Sequence, residues 1–456
     1  MIISLMPFLF WFGGAAATAS AAAGDQQQPI RAYAPADLGG SYVMEFEQGP
    51  IFYNRPADRD PIARLQKRID SGEARLAFEP GGHGYLRSLL ENLKVPVSTQ
   101  SLVFSKTSLQ LHKIDPETPR ALYFNDDVYV GFVQRGDVLE LSSVDPERGA
   151  MFYTLEQREV SQPRFRRHED CLQCHASGRT LGVPGHIVRS VHVDNEGQPM
   201  FTGGGYNIDH RSPLAERFGG WYVTGTHGAS RHLGNVYVKD RAQPDTIDAE
   251  KGANVVKLEK QLGLNVAPYL SAHSDLVAQL VLQHQVRAHN LIARVAFETK
   301  VALDAQNAMD KALGRTSAAG VWSDSTKRRI FGPAETLVRY LLFIDEARLP
   351  GPVRGTSTFA AEFARQGPAD PRGRSLRELD LGKRLFRYPL SFLVYTEAFD
   401  ALPPPAKGYV WRRLWDIVSG ADNRKEFVAA LTPEERAAIR EIIADTKPNR
   451  PAYWRR

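Results

Sequence analysis

The residues best suited to chemistry stand at positions 167–175 and read Arg-His-Glu-Asp-Cys-Leu-Gln-Cys-His. They hold both cysteines of the chain, Cys171 and Cys174, and His175 follows the second directly. Two thiols and an imidazole at this spacing form the pattern of covalent haem attachment. Each thiol can add to one vinyl group of the porphyrin. The histidine, held beside the iron by that tether, becomes the proximal axial ligand. One turn of helix is enough to present all three groups to the same edge of a flat ring. Other uses of a C-x-x-C pair fit less well. A dithiol redox site is expected beside a βαβ pattern, and none surrounds this pair. A zinc site needs two further ligands, which only nearby histidines could supply. A disulfide across two residues would be strained.

On the five residues Cys171 to His175 the chain resembles the c-type cytochromes. The resemblance implies one covalently bound haem c, with Cys171 and Cys174 as thioether partners and His175 as proximal iron ligand. The sixth ligand then decides the chemistry. A strong second ligand gives an electron carrier, whereas an open position allows gas binding or peroxide chemistry. In short cytochromes the distal methionine lies downstream of the motif, and Met200 is the one methionine between His175 and Met309. Met200 is therefore the first candidate, with His192 and His210 as alternatives. Seven of the twelve histidines fall between residues 168 and 232, so His186, His227 and His232 are further rivals. His192 alternates with Val191 and Val193 and points to the opposite face.

Other residues extend the chemistry. Propionates need cationic partners, and Arg164, Arg166, Arg167 and Arg189 lie near the motif in sequence, with Arg231 beside a glycine-rich stretch. A peroxidase-like site would need an acid–base histidine and a charge-stabilising arginine at the iron, roles open to His227 or His232 with Arg231. His273 and His284 share one helical stripe with Leu276, Leu280 and Leu291, the usual pattern of core histidines. Gly203-Gly204-Gly205 and Thr224-Gly225-Thr226-His227-Gly228 lack the context of a nucleotide fingerprint. Glycines that let backbone turn or pass close to a flat cofactor are the simpler reading.

The elements that must position these groups have their own signals. Residues 41–53 alternate aromatic and apolar side chains and read as extended. Asp60 followed by Pro61 starts a helix to about Ile69, and a second spans Tyr85 to Leu93. Short β-rich runs at Leu122-Tyr123-Phe124, 127–133, 138–141 and 152–155, divided by turn residues, predict an antiparallel meander leading to the motif. After it, residues 187–193 read as a strand returning near Pro199 to Thr202. Beyond Pro244 the pattern becomes helical: Ser271 to Leu303 as one long amphipathic helix, then Thr336 to Ala347, Leu376 to Arg387, Ser391 to Phe399 and Lys407 to Ser419. Residues 350–375 read as a loop. Thr432-Pro433-Glu434-Glu435 is a capping box opening the last helix, to about Ala444.

The expected fold class is α+β. Residues 1–23 form a signal peptide, 24–245 an antiparallel-strand-containing region carrying the haem, and 246–456 a mainly helical domain. The signal rests on a short apolar core followed by small residues; it is shorter than a bilayer span, so no transmembrane span is expected after its removal. Export, to a periplasm or beyond, agrees with covalent haem attachment, which in bacteria takes place outside the cytoplasm. At 456 residues and a net charge of +5 spread along the chain, nucleic-acid binding is not indicated. The resemblance carried by the motif, with the expected signal peptide, implies an exported monohaem c-type cytochrome exchanging electrons with a redox partner protein. The alternatives are a haem-based sensor or ligand-binding module, and a peroxidase-like enzyme with an open iron.

Overall fold

In a computed structural model of the chain, residues 29–454 are described, except 41, 57–58, 244–245, 317 and 319. The signal peptide expected at 1–23 lies outside the described residues. Helix α1 (Pro61–Asp70) begins as its sequence dictates. The Asp60 carboxylate accepts from the N–H groups of Ile62 and Ala63, and proline occupies the first turn. Such a cap contributes about 1 kcal/mol. Asp60 also receives the Tyr153 hydroxyl at 2.8 Å, which fixes α1 to the sheet. Helix α2 (Leu86–Asn92) follows.

Six antiparallel strands pair in sequence order: β1 (Ser101–Val103), β2 (Arg120–Phe124), β3 (Val128–Phe132), β4 (Val138–Asp145), β5 (Gly149–Glu156) and β6 (Phe165–Arg167). The meander read from residues 122–155 is present. Tyr129 stands opposite Ser142, and Ser142 opposite Phe152, so these three side chains form one row across the sheet. The motif turn α3 (Leu172–His175) follows the edge strand β6 through a 3-10 turn at Glu169–Cys171. A two-stranded ribbon follows, β7 (Arg189–Val191) with β8 (Gly205–Asn207), and β9 (Gly225–Thr226) pairs with the later β10 (Arg354–Gly355).

The C-terminal part is helical: α4 (Ala249–Gly252), α5 (Leu258–Leu262), α6 (Leu276–Ala312), α7 (Asp324–Leu341), α8 (Phe359–Arg365), α9 (Glu397–Asp400), α10 (Pro404–Val418), α11 (Lys425–Ala430) and α12 (Pro433–Thr446). A six-stranded antiparallel sheet followed by a helical region makes the molecule α+β. Helix α12 opens with the capping box at Thr432 and Glu435. No helix among the described residues is long and apolar enough to cross a membrane.

Four expectations are corrected. Residues 42–53, read as extended, join no sheet, and bends and turns occupy 47–51. The stretch 376–387 is a turn closed by a Leu379–Phe386 bridge, with Arg377 packed over Phe363 and Phe392. The 350–375 stretch contains α8. The long helix starts later and runs further than Ser271 to Leu303, and it is not amphipathic: every residue from 276 to 299 except Arg287 is buried. It lies between the sheet and the other helices, so it has no wet face until its last turns. One apolar cluster runs through both parts of the chain. The N-terminal segment joins them as well. Ile30 donates to Asp416 at 3.0 Å, Tyr33 to the Tyr409 hydroxyl at 2.9 Å, and Met44 to the Gly182 carbonyl at 2.8 Å.

Candidate functional site

Strand β6 delivers the chain to His168, whose N–H still bonds the Phe152 carbonyl of β5. The next residues wind through a 3-10 turn, Glu169–Cys171, into α3. Both cysteines are free thiols on this turn, Cys174 exposed and Cys171 half-buried. Burial first, and then the acidic groups Glu140 and Asp170, push the Cys171 thiol up to about 11, so it stays protonated at neutral pH.

His175 is tied twice to one residue. Its carbonyl accepts from the Gly185 N–H at 2.8 Å, and its ring Nδ1 lies 2.9 Å from the Gly185 carbonyl. A carbonyl only accepts, so Nδ1 carries the proton and Nε2 is left with a free lone pair. Burial lowers the pKa of this imidazole, which favours the neutral form a metal requires. The Phe152 ring packs 4.8 Å from the His175 ring.

Behind His175 the buried row of the sheet continues inward. The Ser142 hydroxyl meets His186 Nε2 at 2.6 Å, and the Tyr129 ring lies 4.3 Å from His186. The Tyr129 hydroxyl bonds His289 Nδ1 at 3.0 Å and accepts from Gln285 at 2.9 Å. Helix α6 holds the loop after the motif at two points one turn apart. Asn290 Oδ1 accepts the His186 N–H at 2.9 Å while its Nδ2 donates to the His186 carbonyl at 2.7 Å. Arg294 donates to the Leu181 carbonyl at 2.6 Å. Towards the surface, Glu140 binds Arg120 at 2.9 Å and accepts from Ser108 and Gln110. The charges of Arg120 and Glu140 are both felt at His175.

The candidate distal ligands fall in two places. Val193 pairs with Pro199, and the Met200 N–H bonds the His192 carbonyl at 2.8 Å, so Met200 and His192 are cross-strand neighbours on one hairpin. The pairing of Val191 with Gly205 leaves residues 201–204 as an insertion that bulges from it, with Phe201 exposed at its tip. His210 lies elsewhere. Its Nδ1 is 2.8 Å from His284 Nδ1, and its ring packs on Tyr340 and Phe343. The stripe proposed for His273 and His284 is broken, because His273 precedes α6 and bonds Thr356, while His284 also bonds Ser391. His227 and His232 pack together at 4.8 Å and bond main-chain N–H groups, and Arg231 pairs with Glu250.

Most of the candidate cations are already engaged. Arg164 faces Asp70, Arg166 faces Glu156, and Arg167 donates to the carbonyls of Tyr53 and Arg55. Arg189 differs. Its guanidinium lies 5.0 Å over the Phe201 ring, and its Nε is buried without a hydrogen-bond partner. Sequence reading located the two thiols, His175 and Arg189, but gave Asn290, His289, Tyr129 and Ser142 no role. These are ordinary core types on elements distant in sequence, and no local pattern marks them.

Comparison with protein families, with curated proteins and with solved structures finds no match. The expected kinship with the c-type cytochromes is therefore not upheld, and the likeness stops at the five residues of the motif. The described residues also hold no group of three or more His, Cys, Asp or Glu side chains able to bind a metal ion by themselves. A zinc site at Cys171 and Cys174 accordingly lacks its further ligands.

Proposed function

We propose that Cys171 and Cys174 form thioethers to a single haem, that His175 Nε2 is its proximal ligand, and that the protein exchanges electrons with a redox partner outside the cytoplasm. The observation that carries this reading is the state of His175. A neutral imidazole on the same turn as two free thiols has its Nδ1–H fixed by a carbonyl and its Nε2 free, the arrangement a ligating histidine needs. A porphyrin supplies four of the iron's ligands, so the chain has to add only one or two. When bound, the haem contributes a one-electron iron couple.

The residues of the chain then have separate tasks. Cys171 and Cys174 tether, and His175 ligates. Arg189, partly desolvated and near Cys174, is placed to pair with a propionate. Met200, or its hairpin neighbour His192, supplies the distal ligand of an electron carrier. Export follows from the chemistry of attachment and from the signal peptide read in residues 1–23.

The test is the absorption spectrum of protein matured in a periplasm with haem-attachment machinery. A reduced spectrum of covalent haem that carbon monoxide leaves unchanged supports two strong ligands and electron transfer. A weak long-wavelength sulfur-to-iron band in the oxidised form selects Met200 over His192. Rapid carbon monoxide binding replaces electron transfer with ligand sensing or peroxide chemistry. Absence of covalent haem refutes the proposal.

A further inference from the structure

We infer that Asn290, on the buried helix α6, is a positioning residue for the His175 imidazole and tunes the iron couple through the peptide joining Gly185 to His186; the inference rests on the haem reading above. That peptide is bonded at both ends. Its carbonyl takes the Nδ1–H of His175 at 2.9 Å, and its N–H goes to Asn290 Oδ1, also at 2.9 Å. The other arm of the same carboxamide donates to the His186 carbonyl at 2.7 Å. With one arm accepting and the other donating to a single residue, the side chain has one productive orientation, since a flip would set like against like.

Hydrogen bonds in series polarise one another. Drawing on the peptide N–H makes the Gly185 carbonyl oxygen more negative, which strengthens its pull on the Nδ1–H of His175. The imidazole becomes more electron-rich at Nε2 and favours oxidised iron, as outer partners of ligating histidines do. Three features hold the relay in place. Asn290 is 2% exposed, so water does not compete for its amide. Arg294, one turn further along α6, holds the same loop at Leu181. The absence of a side chain at Gly185 is required, because a Cβ there would stand 2.4 Å from Asn290 Oδ1. The relay gives the long helix a task at a site to which it lends no ligand.

The test is the midpoint potential of the holoprotein and two variants. Asn290→Ala removes the acceptor and raises the potential. Asn290→Asp keeps the acceptor for the His186 N–H and adds negative charge, which lowers the potential; it gives up the bond to the His186 carbonyl but leaves no cavity, so it complements the alanine variant. A tenfold change in the relative affinity for oxidised and reduced iron corresponds to ~59 mV for a one-electron couple, and the shifts expected at Asn290 are of that order or smaller and opposite in sign for the two variants. Loss of packing alone does not move the potential in opposite directions for the two variants. Covalent haem with unchanged potentials, or with shifts of the same sign, overturns the inference and leaves the haem reading standing. Wild-type protein without covalent haem overturns both.

Discussion

Replacing Gly185 by alanine places a methyl carbon 2.4 Å from Asn290 Oδ1, 2.9 Å from Asn290 Cγ and 3.1 Å from Thr180 Cβ. None of these atoms ends a flexible chain. Asn290 sits within the buried part of α6 and is bonded twice to His186. Thr180 is fully buried, and its hydroxyl bonds the carbonyls of Ser177 and Val183. Overpacking of this kind costs about 1–3 kcal/mol, and displacing the carboxamide loses two buried hydrogen bonds of roughly 1 kcal/mol each. Gly185→Ala is therefore expected to destabilise the fold by about 3–5 kcal/mol, read as a lower urea midpoint at constant slope. Gly351 is the control. A Cβ there meets nothing within 4 Å, so Gly351→Ala should stay within about 0.5 kcal/mol of wild type. A Gly185→Ala midpoint indistinguishable from that control would show that the loop is not seated on Asn290 as described.

Two further outcomes test the rest of the framework. Glu335 and Arg413 are each 1% exposed and form a two-pronged ion pair at 3.0 and 3.2 Å, with the Tyr409 hydroxyl on the same carboxylate. Glu335→Ala leaves the guanidinium with Asp422 at 2.6 Å and Asp416 at 3.7 Å and should lower stability by about 3 kcal/mol; a melting temperature equal to wild type refutes this. Burial holds His289 down to about 3, so the unfolded chain, at the ordinary 6.5, takes up the proton first as pH falls. Its contribution is full above pH 6.5 and is lost progressively towards pH 3, with about 2 kcal/mol gone between pH 7 and pH 5. A urea midpoint that does not change between pH 7 and pH 5 would count against a neutral, buried His289.

What could be read from the chain and what could not divide along a physical line. Asp60-Pro61 and Thr432-Pro433-Glu434-Glu435 mark helix starts because the capping groups are neighbours of the N–H groups they serve. The strands from residue 120 to 156 show because alternation and turn residues are local signals as well. Residues 376–387 mislead because Arg377 is stabilised by rings from elsewhere, Phe363 and Phe392, and not by an adjacent turn of helix. In α6 the apolar and polar residues do not segregate, since Asn290, Gln285 and Arg294 find hydrogen-bond partners inside the core on the sheet and the loop. The same distinction holds at the site. Thiols and an imidazole within five residues announce themselves. A backbone carbonyl at Gly185 and a carboxamide at Asn290 carry no signature, yet the geometry of His175 depends on the first and, through it, on the second.

The seating of the N-terminal segment has a consequence for the order of events during folding. Ile30 reaches Asp416 across 386 positions, and Met44 closes on Gly182 in the loop beyond the motif. Loop closure over such a span carries only a logarithmic entropy term, so the contact is not thermodynamically prohibitive. Its demand is on time. Contacts of large sequence separation form late, so this segment must wait for a partner synthesised well after it. Until α7 and α10 exist, the N-terminal segment cannot dock on the helical part. The motif turn can wind early from local signals, whereas the segment that covers Gly182 is anchored at its far end only once the helical part has formed.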